Sequence, residues 1–168
     1  MSQLPVLEEV CALMKDSRWR EAIDLCISTG MPDSEPDLLW NCAWAHFKIG
    51  DLAASRTLFE AAAMLRPEHA GTLWGLGVVL HSLGAREEAK RRLARALELK
   101  DFTDARLVMA LLLTEGGDLA AAEQVHLQGI RLRPSDAERR AAYADFLSDV
   151  GRDKEAAVQY ARANGLRA

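Results

Sequence analysis

Long apolar runs are missing from this chain: nowhere do its 168 residues approach the ~20 consecutive apolar side chains needed to cross a bilayer, so membrane insertion is not expected. Cysteine is scarce. Cys11, Cys26 and Cys42 are odd in number, unclustered and confined to the first quarter, which argues against a disulfide framework and for reduced thiols. With 5 Pro and 11 Gly there is no fibrous or low-complexity character, and aromatics reach only 6%. Cations are not in surplus either: 21 Lys+Arg against 25 Asp+Glu give −4, which excludes a general nucleic-acid binder. The deficit is uneven, since residues 1–60 carry 5 basic and 10 acidic side chains and the remainder 16 and 15. The opening MSQLPVLEEVCALMKD has two glutamates where a signal peptide would carry positive charge, so a cytoplasmic location is expected. What is present is a 49% hydrophobic share dominated by Ala and Leu, enough to bury a core and biased toward helix.

Chemistry-bearing constellations are also missing. His46, His69, His81 and His126 form no i, i+4 pair and no H-E-x-x-H, so no metal is expected. Gly75-Leu76-Gly77 is a lone GxG inside a helical pattern, where it cannot cradle phosphate. There is no G-x-S-x-G, and no cysteine has an evident histidine partner. The sequence therefore points to no cofactor and no enzyme. The basic run Lys90-Arg91-Arg92 with Arg95 has Glu87 and Glu88 beside it on the same helix, the pattern of a solvated face.

Self-similarity is the strongest positive signal. A Gly or Ser followed five residues later by a small residue recurs as Ser17…Ala22, Gly50…Ser55, Gly84…Ala89, Gly117…Ala122 and Gly151…Ala156. Each is flanked by apolar residues at helical spacing, so each unit reads as two antiparallel helices joined at the Gly. A left-handed Gly would end the first helix of each pair. Ser34-Glu35-Pro36-Asp37 and the capping box Ser135-Asp136-Ala137-Glu138 carry helix-start chemistry, while Pro67 and Pro134 sit where a helix cannot continue. Helices are predicted near 3–15, 18–29, 36–49, 52–66, 70–83, 86–100, 103–116, 119–133, 137–150 and 153–164.

At these residues the chain resembles the tetratricopeptide repeat (TPR), a helix–turn–helix unit of about 34 residues. The unit 70–103 carries Leu76, Gly77, Gly84, Ala89 and Ala96 at the family's positions, with Trp74 and Leu73 just before them. Unit 36–69 supplies Gly50, Phe59, Ala62 and Pro67. Unit 103–136 keeps Ala110, Gly117, Ala122 and Pro134 but has His126 and Gly129 where Phe and Ala are usual. Unit 137–168 is a polar cap with Ala144, Gly151, Ala156, Tyr160 and Ala163, and unit 3–35 is degenerate, resting on Ala22 and on Trp19 where Tyr is usual. The resemblance implies an all-α fold, a right-handed α-solenoid of about five repeats forming a single domain over residues 1–168.

The family's first helices line a concave groove, and its positions carry over to Leu7, Cys11 and Met14, then Trp40, Trp44, Phe47 and Lys48, then Trp74, Val78 and His81, then Leu107 and Leu111. Asn41 and Lys15 stand beside them. His46, His126, Cys26 and Cys42 map to core positions. The resemblance implies a non-enzymatic adaptor or chaperone that binds an extended, mostly apolar peptide segment of a protein partner, with Trp40, Trp44 and Trp74 as anchors. The usual set of basic residues that grips a terminal carboxylate is not in place. Two other readings belong to the same surface. One is a chaperone similar to those of type III secretion translocators, and the other is a self-associating scaffold, a homodimer through the apolar face.

Overall fold

The computed structural model describes residues 4–30 and 35–167. Among these lie ten α-helices: α1 (Leu4–Lys15), α2 (Trp19–Ser28), α3 (Pro36–Lys48), α4 (Leu52–Leu65), α5 (Ala70–Ser82), α6 (Arg86–Leu99), α7 (Thr103–Glu115), α8 (Leu119–Leu132), α9 (Ala137–Asp149) and α10 (Asp153–Gly165). Their bounds fall within one residue of those predicted. Gln3 and Ser34, expected to start α1 and to cap α3, lie outside the described residues.

The repeated sequence signal corresponds to a repeated backbone device. Ser17, Gly50, Gly84, Gly117 and Gly151 all adopt left-handed φ, at 58°, 84°, 78°, 80° and 78°. At each, the next amide reaches back over the helix end, as in Asp51 N–H to His46 O and Ala85 N–H to Leu80 O, both at 2.9 Å. This is the Schellman closure, which satisfies carbonyls that a helix end leaves open. The small residue five positions on is buried in every unit: Ala22, Ser55, Ala89 and Ala122 are at 0% exposure and Ala156 at 2%. A larger side chain there would hold the two helices of a hairpin apart. Ser55 also donates its hydroxyl to the Ala43 carbonyl at 2.8 Å, so its buried oxygen is satisfied.

Helix starts follow capping chemistry. Asp51 and Asp118 accept from the amides of Ala54 and Ala121, each at 3.1 Å. Pro36 opens α3 as expected. At α9 the structure differs from the expected box: the cap is Asp136, not Ser135, and its carboxylate accepts from both Glu138 and Arg139 amides. A carboxylate with two acceptor oxygens competes better than a hydroxyl for the open N–H groups.

The helices divide into two compact units at Leu99 and Lys100. In the first, α3 packs against α1, α2, α4 and α5. Gly75 and Gly77 on α5 let the neighbouring helices close in, since a Cβ at Gly75 would lie 2.5 Å from the Phe59 ring and one at Gly77 would lie 2.7 Å from Leu93. The GxG pair is thus a packing device. Cys26 and Cys42 are fully buried, and the hydrogen bond shared with Cys26, together with burial, holds the Cys42 thiol well above the ordinary thiol range.

The second unit is built around Ala122, Tyr143, Phe146, Leu147 and Ala156. It also explains the two departures from the repeat pattern. His126 replaces the usual Phe as an aromatic, with ring centroids 5.9 Å from Tyr143 and 5.2 Å from Phe146. Gly129 leaves room for two buried guanidiniums, because a Cβ there would meet Arg106 Cδ at 3.0 Å and Arg139 Nη1 at 3.4 Å. Both arginines hold Asp101, Arg106 through Nε and Arg139 through Nη1 at 2.8 Å, and Arg139 Nε adds Asp136 at 3.2 Å. Burial opposes ionisation of Asp101, but the hydrogen bonds from Arg106 and Arg139 outweigh it and keep its pKa below the ordinary carboxylate value.

Candidate functional site

In the first unit, α1, α2, α3 and α5 enclose an open cavity of about 460 Å³. Its walls are Cys11, Met14 and Lys15 from α1, Trp19 from α2, Trp40, Asn41, Trp44 and Lys48 from α3, and Trp74 from α5. All 4 tryptophans of the protein therefore line one concavity. Helical spacing explains how α3 contributes so much: residues 40, 44 and 48 are successive turns of one face, and Asn41 flanks them.

Trp44 is the hub of the aromatic cluster. Its ring centroid lies 6.0 Å from Trp40, 5.4 Å from Phe47, 5.4 Å from Phe59 and 4.9 Å from Trp74. Most of these contacts are edge-on, as the ring quadrupoles favour. Trp44 is only 9% exposed, whereas Trp40 and Trp74 are half-buried. Trp44 is thus the most core-integrated of the three anchor rings, and Trp40 and Trp74 present more free surface.

Polar groups around the cavity are few, and most are committed. Asn41 donates to the Asp37 carbonyl at 2.8 Å and accepts from the Cys11 thiol at 3.8 Å. Asp37 turns its carboxylate to Arg66, at 2.7 Å. Lys15 and Lys48 are exposed at the rim and have no ion-pair partner among the described residues.

The structure brings together eight of the residues placed in or beside the groove from the sequence: Cys11, Met14, Lys15, Trp40, Asn41, Trp44, Lys48 and Trp74. Phe47 supports the cluster through its contact with Trp44 without lining the cavity. Leu7, Val78 and His81 are half-buried in the first unit, outside the cavity wall. Leu107 and Leu111 belong to the second unit, where Leu107 is half-buried and Leu111 is 47% exposed. Trp19, which the repeat pattern marks only as standing where Tyr is usual, also lines the cavity. Its signal was available: a ring at the first turn of α2 stands directly after the tight turn that ends α1 at Lys15.

No group of three or more His, Cys, Asp or Glu among the described residues is placed to hold a metal ion. His46 sits 3.2 Å from Asp51 and His126 is buried in the second unit, so neither reaches the cavity. No described helix is long and apolar enough to cross a membrane. In the basic run of α6, Lys90 pairs along the helix with Glu87 at 2.6 Å and Arg92 with Glu88 at 3.5 Å, while Arg95 pairs with Glu98 at 3.0 Å and with Glu68, outside the helix, at 2.7 Å.

No protein-family model matches the chain, and no curated protein sequence does. Solved structures do match it. A thermophilic TPR protein in Thermus thermophilus superposes with a TM-score of 0.78 at 22% identity, covering 96% of this chain and 90% of that one. A tetratricopeptide repeat protein from Parabacteroides merdae gives 0.79 at 19% identity, over 92% of this chain and 61% of that one. MamA gives 0.75 at 16% identity, over 93% and 92%. Together with the helix order and the recurring left-handed turn, these matches show that the chain has the TPR-type helical-repeat fold.

Proposed function

We propose that the protein is a non-enzymatic interaction module whose first unit captures an extended, mostly apolar segment of a protein partner. The observation that carries this reading is the convergence of every tryptophan on one open cavity with few polar groups. Aromatic rings on a rigid helical frame supply large contact area at low ordering cost, which is how preformed sites gain affinity. Helices rather than loops hold the anchors, so their geometry persists without a ligand. Three free thiols suit a reducing compartment, which keeps the cytoplasm as the proposed location.

The test uses the half-buried rings. Trp40→Ala and Trp74→Ala each remove a cavity wall, and binding to an array of immobilised apolar peptides is compared with wild type. We expect about ten-fold weaker capture by each variant, equivalent to ~1.4 kcal/mol, with the circular dichroism of the helices retained. Unchanged capture by both variants sinks the groove reading.

A further inference from the structure

The charges of the first unit are sorted by face. Residues 1–60 hold 10 carboxylate side chains and 5 cations, yet among the described residues the tryptophan cavity is lined by two lysines and no carboxylate. Helix α1 shows the separation on its own length. Its Lys15 reaches the tryptophan cavity, whereas Glu9 and the following Asp16 line a different concavity together with Glu21 and Asp24 of α2. Nearby carboxylates of the first unit are engaged elsewhere: Asp37 pairs with Arg66 at 2.7 Å, and Asp51 lies 3.2 Å from His46 and accepts from the Ala54 amide.

The hydrogen-bonding capacity of the cavity is one-sided as well. The indole N–H groups of Trp40 and Trp44 are buried with no acceptor, and the side-chain oxygen of Asn41 is already taken by the Cys11 thiol. The site thus offers positive charge around an apolar floor.

Resting on the groove reading, we infer that the captured segment is apolar and acidic together: bulky apolar side chains on the tryptophan floor, with internal glutamate or aspartate side chains between Lys15 and Lys48. Purely apolar segments leave both lysines unpaired. Basic segments are repelled. Acidic side chains next to apolar ones satisfy the rim and the floor at once, so charge acts here as the selector among apolar segments.

The experiment uses the full chain and three short peptides, each acetylated and amidated, with leucine and phenylalanine spaced by glutamate, by glutamine or by lysine. Because all the tryptophans line the cavity, their emission reports occupancy, and calorimetry gives the affinity. The glutamate peptide is expected to bind about ten-fold more tightly than the glutamine peptide at low salt, and the lysine peptide most weakly, with the margin shrinking as salt rises. The double variant Lys15→Glu, Lys48→Glu changes two exposed residues and is expected to reverse the order in favour of the lysine peptide. Trp40→Ala is expected to weaken all three alike. Equal affinity for the glutamate and glutamine peptides, or an unchanged order in the double variant, overturns the acidic requirement and leaves the groove reading standing. An uncapped apolar peptide that outcompetes the capped glutamate peptide overturns it too, in favour of a chain end. Failure of every peptide to bind overturns both.

Discussion

Ser17 stands alone among the described residues as a non-glycine with left-handed φ, at the position where every later unit has Gly. An L side chain there strains its backbone by roughly 1 kcal/mol, whereas Gly adopts the same conformation freely. Ser17→Gly should therefore stabilise the protein by about 0.5–1 kcal/mol in urea unfolding, and a lower midpoint in the variant contradicts this. His126 has the opposite standing, a residue matched to its site only while neutral. Burial pushes its pKa down to about 4, against the smaller pull of Asp145 and Glu123 in the other direction. In the unfolded chain it takes a proton near pH 6.5, so the unfolded state binds more protons as pH falls through that range. Stability is fully present above about pH 6.5 and declines down to about 4, by something on the order of 3 kcal/mol. His126→Phe keeps a ring against Tyr143 and Phe146 and should flatten that part of the pH profile. Parallel profiles for variant and wild type would count against a buried neutral imidazole.

Among the helices, α5 shows how sequence pattern and packing can part company. Its Gly75 looks like a weakness in a helix, and a propensity argument alone expects Ala there to help. The structure reverses that sign. Phe59 is fully buried, and a Cβ at 2.5 Å from its ring forces α4 and α5 apart. Gly75→Ala should lower stability by about 1–3 kcal/mol, read as a fall in thermal midpoint, while Gly71→Ala, which meets only the exposed His69 ring at 3.1 Å, should cost far less. The helices and their turns were legible because periodicity and the Ser/Gly–small-residue spacing are local signals. What was not legible is which ring is core and which is wall: Trp40 and Trp44 are one turn apart on the same face, and only the presence of Phe59 and Phe47 around Trp44 decides its burial. Likewise Gly129 is unreadable without Arg106 and Arg139, which come from two other helices.

At the scale of the whole chain, the sequence period continues through Leu99 and Lys100 with only residues 100–102 between α6 and α7, a junction no longer than residues 66–69 between α4 and α5. A repeat hairpin cannot bury its own apolar face, so its stability depends on the hairpins before and after it. On that ground we propose that the two units behave as one cooperative domain, and the distribution of chromophores makes this measurable. Every tryptophan lies in the first unit, so tryptophan emission follows that unit alone, while far-ultraviolet ellipticity follows all ten helices. Both signals should trace one urea transition with a shared midpoint in the wild-type protein. Gly75→Ala, placed in the first unit, should then move both midpoints together by the same amount. Emission midpoints that fall while ellipticity keeps a later phase would mean that residues 100–168 hold their fold independently, and the single-domain proposal would give way to two units that unfold separately.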